Sequence, residues 1–537
     1  MPHGAGLEKG MRKFSWIFKV LVAVSVLSAP ARARTAKRAL SPAYRLGVVI
    51  VVDQFRADYL MRFKNRFLPA AGNSKGYRFL TEKGAYFPLA DHGLLQDMTG
   101  PGHAAILSGA YPYRHGISTN VWFDRDAKTE VYCVEDGTTH TIGPEGAIKS
   151  AKGSVSPRNF NASTVGDELK NANRASRVVS ISLKDRAAIL MGGKRTDFTL
   201  WFDEKHCQWV SSDFYLQKLP DFALGENEKL KTEKGVKFDF GARKGIEACS
   251  KEALRSPWGI RKTFDFALDA VESLGLGKGA DTDLLMVSLS SHDFLGHQLG
   301  PNHPDMEEIT VEEDRLVSDF LNRLSKKVPG GMDGIFVVLT GDHGIPPLPL
   351  PKDRVPSENL PADEIRNAVE KAMTRAYGKP AGGKWVDAEV EAQVYFNPEA
   401  MKSAGITPAQ AVIPVREALL RERYADQVWA RDEILYERKV PAGEYGVVAD
   451  RTLSRRSGDL IVVLKPYFFT DSYYPVTHMT FYSYDRYVPL VFYGKTFRRG
   501  VHRQIVNVVD IAPTLSRVLD VLPPSQSEGR VLTEILR

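Results

Sequence analysis

Four stretches of this sequence are unbroken runs of apolar and β-branched residues that close on charged or histidine residues. They are "YRLGVVIVVDQF", "RVVSISLKDRAAIL", "TDLLMVSLSSHD" and "GIFVVLTGDHG". A run with no polar alternation has no solvent face, so each reads as a strand covered on both sides, as in a parallel sheet. Helix-like stretches lie between them, among them "PGHAAILSG", "ASTVGDELKNAN", "GIRKTFDFALDAVESLG" and "EEDRLVSDFLNRLSKKV". The alternation predicts an α/β fold, a mainly parallel sheet flanked by helices. Sites in such sheets form outside the carboxyl ends of the strands. Asp53, Lys184, Asp293 and Asp342 all fall at or near those ends.

The 537 residues exceed what one compact core usually holds. A core over 42–350 and 440–537 is expected, with cap insertions at 121–165 and 196–260, which are rich in aromatic, charged and turn residues. The prolines of "GIPPLPLPKDRVPSENLP" exclude regular structure there and open an α+β insertion over 351–439. "GDLIVVLKPYF" and "YVPLVFYG" read as the return of the core, and "NVVDIAPTLSRVLDV" as a final helix. At the other end, "MRKFSWIFKVLVAVSVLSAPARA" has basic residues, a short apolar run and small residues in A-x-A spacing. That is the layout of a secretory signal peptide, expected over 1–33, with an uncleaved anchor as the alternative. The expected address is periplasmic or secreted. No later stretch is long and apolar enough to span a membrane.

The net charge of +7 is modest for this length and its basic residues are scattered, so no specific nucleic-acid partner is expected. Cys133, Cys207 and Cys249 lack metal-binding spacing. A Cys207–Cys249 pair and three buried free thiols both remain open.

Asp and His recur at the strand ends. Asp342 and His343 are adjacent, Asp293 and His297 are spaced i, i+4 and share a face if helical, Asp53 closes the first strand, and His478 lies in an aromatic-rich loop. Singly, each has an ordinary reading as cap, surface pair or turn. Together, six N/O ligands on successive strands suit two neighbouring zinc sites, manganese and iron being less favoured. Such two-metal sites, with ions roughly 3.5–4 Å apart, catalyse in-line displacement at phosphorus. His92, His103, His115, His292 and His303 are not assigned as ligands. His103 falls in a predicted helix and His303 in a surface loop.

Thr99 stands before Gly100, Pro101 and Gly102. It reads as a helix N-cap, and proline in the first turn agrees with that. The same place offers an anion a helix start and close approach past small residues. Beside metal ions a threonine hydroxyl becomes a nucleophile. Lys184 and Arg186, two apart on a predicted strand, share a face and suit the oxygens of a dianionic group. Asn120 in "GISTNVWFD" is a turn residue or a hydrogen-bond donor to the same oxygens.

These residues resemble the alkaline phosphatase superfamily. They are most similar to the bacterial phosphate-irrepressible alkaline phosphatases, relatives of the nucleotide pyrophosphatase/phosphodiesterases. The resemblance is carried by "VVIVVDQFRADYL", "MTGPGHAAILSGAYPYRHGISTNVWFD", "SLKDRAA", "SSHDFLGHQLGP", "LTGDHG" and "THMTFYSYDRYVPLVFYG". It implies two zinc ions per chain. Asp53, Asp342 and His343, with Thr99, would hold one; Asp293, His297 and His478 would hold the other. It implies Thr99 as the nucleophile of a phospho-threonine intermediate, and Asn120, Lys184 and Arg186 as ligands of the phosphoryl oxygens. The diesterase branch is not expected to carry the Lys-x-Arg pair, so small phosphate monoesters are the implied substrates. No C/S-x-P-x-R sulfatase signature surrounds Thr99. The alternatives are a phosphodiesterase or nucleotide pyrophosphatase on the same scaffold, a phospho-group transferase, and a non-catalytic zinc-binding protein.

Overall fold

All four apolar runs contribute central strands to one twelve-stranded sheet. Leu46–Val52 lies between Asp283–Leu289 and Ile335–Gly341, parallel to both. Val178–Ser182 and then Phe198–Asp203 continue the parallel set. Tyr487–Tyr493 runs antiparallel beside Ile335–Gly341, with Ala85–Asp91 antiparallel outside it. The computed structural model describes residues 43–148, 154–233, 235, 245–349 and 355–537. The expected leader over 1–33 lies outside the described residues, among which no helix is long and apolar enough to cross a membrane.

The central strands are buried throughout because both faces are covered. Leu46, Val48, Ile50 and Val52 face a core built with helices Pro257–Leu274 and Pro304–Lys327. Val49 and Val51 face the opposite core, with helices Thr99–Ser108 and Ile511–Leu519. Each such side chain contributes roughly 1.5–3 kcal/mol by leaving water. That suffices to fix the register, since a slip of one residue would exchange the two faces.

Three expectations change. The insertions at 121–165 and 196–260 are more than a cover, because Thr141–Gly143, Gly146–Ile148, Phe198–Asp203 and Gln208–Ser212 extend the main sheet. "GDLIVVLKPYF" does not return to that sheet. Its strand Leu460–Leu464 sits in a second, antiparallel sheet with Val386–Val390, Gln393–Phe396 and Ala425–Ala430. It resembles a core strand because its two faces meet two separate apolar clusters. After the proline-rich stretch, Glu358–Leu360 forms a short parallel pair with Phe468–Thr470. Cys207 and Cys249 form a disulfide, and Cys133 is free and buried, so the three-thiol alternative is set aside.

Candidate active site

Strand Ala85–Asp91 leads through a buried loop into helix Thr99–Ser108. Met98 is the N-cap and Thr99 the first helical residue, so the capping role expected for Thr99 does not hold. Its hydroxyl instead lies 3.4 Å from Lys184 Nζ, 3.3 Å from Arg186 Nη2 and 3.4 Å from His343 Nε2. Gly102 permits this placement. A Cβ there would stand 2.3 Å from the carbonyl oxygen of Asp342, so no larger residue lets the helix start rest on the Asp342 loop.

Lys184 and Arg186 do not share a strand face. The strand ends at Ser182, Lys184 is the extended N-cap residue of helix Asp185–Gly192, and Arg186 lies in its first turn. The Ser182 hydroxyl accepts the Lys184 N–H at 3.1 Å, and "RAAIL" propagates the helix. The two cations thus reach Thr99 from a strand-to-helix corner. Lys184 Nζ lies 2.6 Å from Asp53 Oδ2 and 2.5 Å from Asp293 Oδ2. Burial disfavours its charge, yet Asp293 and Asp53 raise its pKa above the usual lysine value. Arg186 is steadied by the Tyr132 hydroxyl, 3.3 Å from Nη1, which in turn donates to Asp185 at 2.6 Å. Asn120 accepts the Gly100 N–H on Oδ1 at 2.8 Å, which commits its oxygen and leaves its amide N–H groups to donate.

The six Asp and His side chains converge. Asp53 and Asp342 follow the last residues of adjacent strands. Asp293 and His297 share one face of helix Ser291–Leu299, 3.2 Å apart. His478 Nε2 stands 3.6 Å from Asp293 Oδ1. His297, His343 and His478 each place Nδ1 on a backbone carbonyl, of Val476, Gly344 and Asp97, at 2.9, 3.0 and 2.8 Å. A carbonyl only accepts, so Nδ1 carries the hydrogen and Nε2 keeps its lone pair for the centre of the site.

Two ligand clusters result, each with atoms within 4.8 Å of one another: Asp293, His297 and His478; and Asp53, Asp293 and His343. Asp293 is common to both clusters. Asp342 Oδ2 lies 3.2 Å from His343 Nε2. Asp53 accepts no backbone N–H; its oxygens face Lys184 Nζ at 2.6 Å and His343 Nε2 at 3.4 Å, and Asp342 Oδ2 faces His103 Nδ1 at 3.1 Å, all of them buried. Burial and then the charges of Asp293 and Asp342 raise the pKa of Asp53. Crowded carboxylates that repel one another and imidazole lone pairs on one point are what divalent metal ions relieve, so the donor set fits them.

Two residues of this site carry no signal in the sequence. Gln54, at φ 66°, donates its N–H to Asp342 Oδ1 at 2.9 Å and its side-chain amide to Asp293 Oδ1 at 2.7 Å. Tyr132 belongs to the aromatic-rich insertion, and no spacing links it to Arg186. His103 plays the structural part expected, with Nδ1 2.9 Å from the Thr99 carbonyl and 3.1 Å from Asp342 Oδ2. His92 and His292 are buried and hydrogen-bonded elsewhere, and His303 caps helix Pro304–Lys327.

Residues 47–483 match the family model described as type I phosphodiesterase / nucleotide pyrophosphatase. The chain is 29% identical to alkaline phosphatase PafA of Elizabethkingia meningoseptica, over 97% of this chain and 98% of that protein. It is 30% identical to alkaline phosphatase PhoK of a Sphingomonas species, over 91% and 90%. The crystal structure of wild-type PafA superposes with a TM-score of 0.83 at 27% identity, covering 93% of this chain and all of that one. The chain belongs to the type I phosphodiesterase / nucleotide pyrophosphatase family and is a phosphatase of that superfamily.

Proposed function

We propose that the chain is an exported two-zinc enzyme that hydrolyses phosphate monoesters through a phospho-threonine at Thr99. The observation that carries this reading is the Thr99 hydroxyl, set beside two buried or half-buried cations, Lys184 and Arg186, at a helix start. A monoester dianion carries one more negative charge than a diester at the transferring group. Paired cations match that extra charge, and Arg does so through two N–H groups. Thr99 Oγ1 gives up its proton to solvent and forms the bond to phosphorus as the ester P–O bond breaks; the leaving oxygen departs with its electron pair and takes up a proton to leave as the alcohol. Arg186, Lys184 and the Asn120 amide hold the non-bridging oxygens, and the start of the helix adds partial positive charge. Water then attacks phosphorus, releasing inorganic phosphate and restoring the hydroxyl. Zinc bound by Asp53, Asp342, His343 and Thr99, and by Asp293, His297 and His478, supplies Lewis acidity toward the hydroxyl and the leaving oxygen. Export is supported by the leader-like sequence and by the Cys207–Cys249 disulfide, which suits an oxidising compartment.

Thr99→Ala should lower turnover of an aryl phosphate by about 10³-fold or more, and Thr99→Ser should keep part of it. Unchanged turnover by Thr99→Ala would remove the nucleophile from this reading. The family model's own description favours a second reading, a diesterase. A purified enzyme faster on a bis-aryl than on a mono-aryl phosphate would support that one.

A further inference from the structure

The second sheet meets the phosphoryl-binding loop at a hairpin turn. Strands Val386–Val390 and Gln393–Phe396 are joined by Glu391 and Ala392 alone, with Val390 opposite Gln393. Both linking residues have positive φ, 52° and 59°. That backbone belongs to a two-residue hairpin turn whose low-strain sequences are Asn-Gly and Gly-Gly. Glu and Ala carry a Cβ into it, so the turn is not built for its own stability.

The Glu391 side chain supplies the reason. Its Oε2 is buried without a hydrogen bond, and the carboxyl group lies against the backbone of Val121 and Asn120 and the side chain of Thr119. Burial pushes its pKa up to about 8, opposed by the Val121 and Asn120 N–H groups and by Arg186. The backbone of the same turn is tied to the approach to Thr99. The Glu391 carbonyl accepts Gln96 Nε2 at 2.5 Å, and Gln96 Oε1 accepts Gln393 Nε2 at 2.6 Å. Around it, Ala388, Val390 and Tyr395 pack on Phe123 and Val121, just beyond Asn120. One turn therefore grips the segment before the nucleophile and the segment that carries the amide.

We propose that Glu391 is a positioning residue for phosphoryl binding: seated against the 119–121 backbone, it fixes Asn120 so that the amide acts together with Arg186. This rests on the roles assigned to Asn120 and Arg186 above. The test compares kcat/KM for an aryl phosphate among wild type, Asn120→Ala, Glu391→Ala and the double variant, with thermal stability measured on each. Glu391→Ala should cost on the order of tenfold, the scale of a misplaced donor. In the Asn120→Ala background the same change should cost about twofold or less, because the group it positions is gone. Glu391→Asn combined with Ala392→Gly suits the turn; it should be as stable as wild type yet show the same loss. Glu391→Gln keeps an oxygen for the N–H groups and should restore most of the rate. An equal factor in both backgrounds, or a wild-type rate from the turn-suited variant, would overturn the proposal. Damage by Asn120→Ala with none by Glu391→Ala would sink the role of Glu391 alone. Full turnover by Asn120→Ala would sink the phosphoryl-binding assignment and this inference with it.

Discussion

Asp53 and Asp342 at the carboxyl ends of two central strands, and Asp167, Asp283 and Asp314 elsewhere, are the same residue type, and all are buried. Their hydrogen bonds divide them. Asp167 accepts the N–H groups of Thr164, Lys194 and Arg195, closing a capping box and pinning a loop. Asp283 accepts those of Arg177 and Gly277, and Asp314 those of Leu68 and Tyr77. Asp342 accepts one backbone N–H, from Gln54, and Asp53 none; their other oxygens face Lys184, His103 and His343, side chains of the site itself. A buried carboxylate costs free energy unless its oxygens are satisfied. The first set is satisfied by the chain and holds the fold. The second meets only the side chains of the site, a cation and imidazoles, while its carboxylates crowd one another, and that is the arrangement a divalent ion relieves.

The sharpest way to break this division is to neutralise one member of each set. Asp53→Asn should lower aryl phosphatase turnover by on the order of 10³-fold while changing the melting temperature little, since relief of repulsion from Asp293 and Asp342 offsets the loss of one of the two carboxylates that face Lys184. Large destabilisation by Asp53→Asn would place it with the structural set. Lys184→Ala and Arg186→Ala come next, with losses of roughly 10²-fold on a monoester and clearly smaller losses on a diester. Equal losses on both would show that the pair does not read the extra charge. Asp167→Asn should do the reverse of Asp53→Asn: stability falls by about 2 kcal/mol while kcat/KM of the folded enzyme holds.

An effect on the pH dependence of stability alone, with none on turnover, concerns Glu313, whose Oε2 accepts the Tyr77 hydroxyl at 2.8 Å while Oε1 has no partner. Burial pushes its pKa up to about 8 from an ordinary 4.5. Between those values the unfolded chain releases a proton that the folded one keeps, so stability falls as pH rises, by about 1.4 kcal/mol per pH unit at most. Above about 8 that group contributes no further slope. Glu313→Gln should flatten this part of the pH–stability curve in denaturant titrations, and an unchanged slope would assign it to other groups.

Much of the site was legible because short-range rules carry it. Apolar runs place Asp53 and Asp342 at strand ends, helical spacing brings Asp293 and His297 together, and small residues mark the start at Thr99. Where a helix begins inside a stretch that reads as strand, the rule fails: the spacing puts Lys184 and Arg186 on one strand face, but the strand ends at Ser182 and a helix starts at Asp185. Leu460–Leu464 has the composition of a central strand, and only its partners reveal the second sheet. Gln54, Tyr132 and Glu391 were silent. Their roles come from contacts such as Glu391 with Asn120, set by how the insertion packs and by no local pattern.

The account rests on crowded carboxylates and imidazole lone pairs that bind divalent ions next to the Thr99 hydroxyl. Elemental analysis of the purified protein, run beside Asp53→Asn and Asp167→Asn, tests it most directly. The expected result is about two equivalents of divalent metal per chain in wild type and in Asp167→Asn, with at least one lost in Asp53→Asn. Full phosphatase activity in wild type freed of stoichiometric metal, or unaltered metal content in Asp53→Asn, would contradict it.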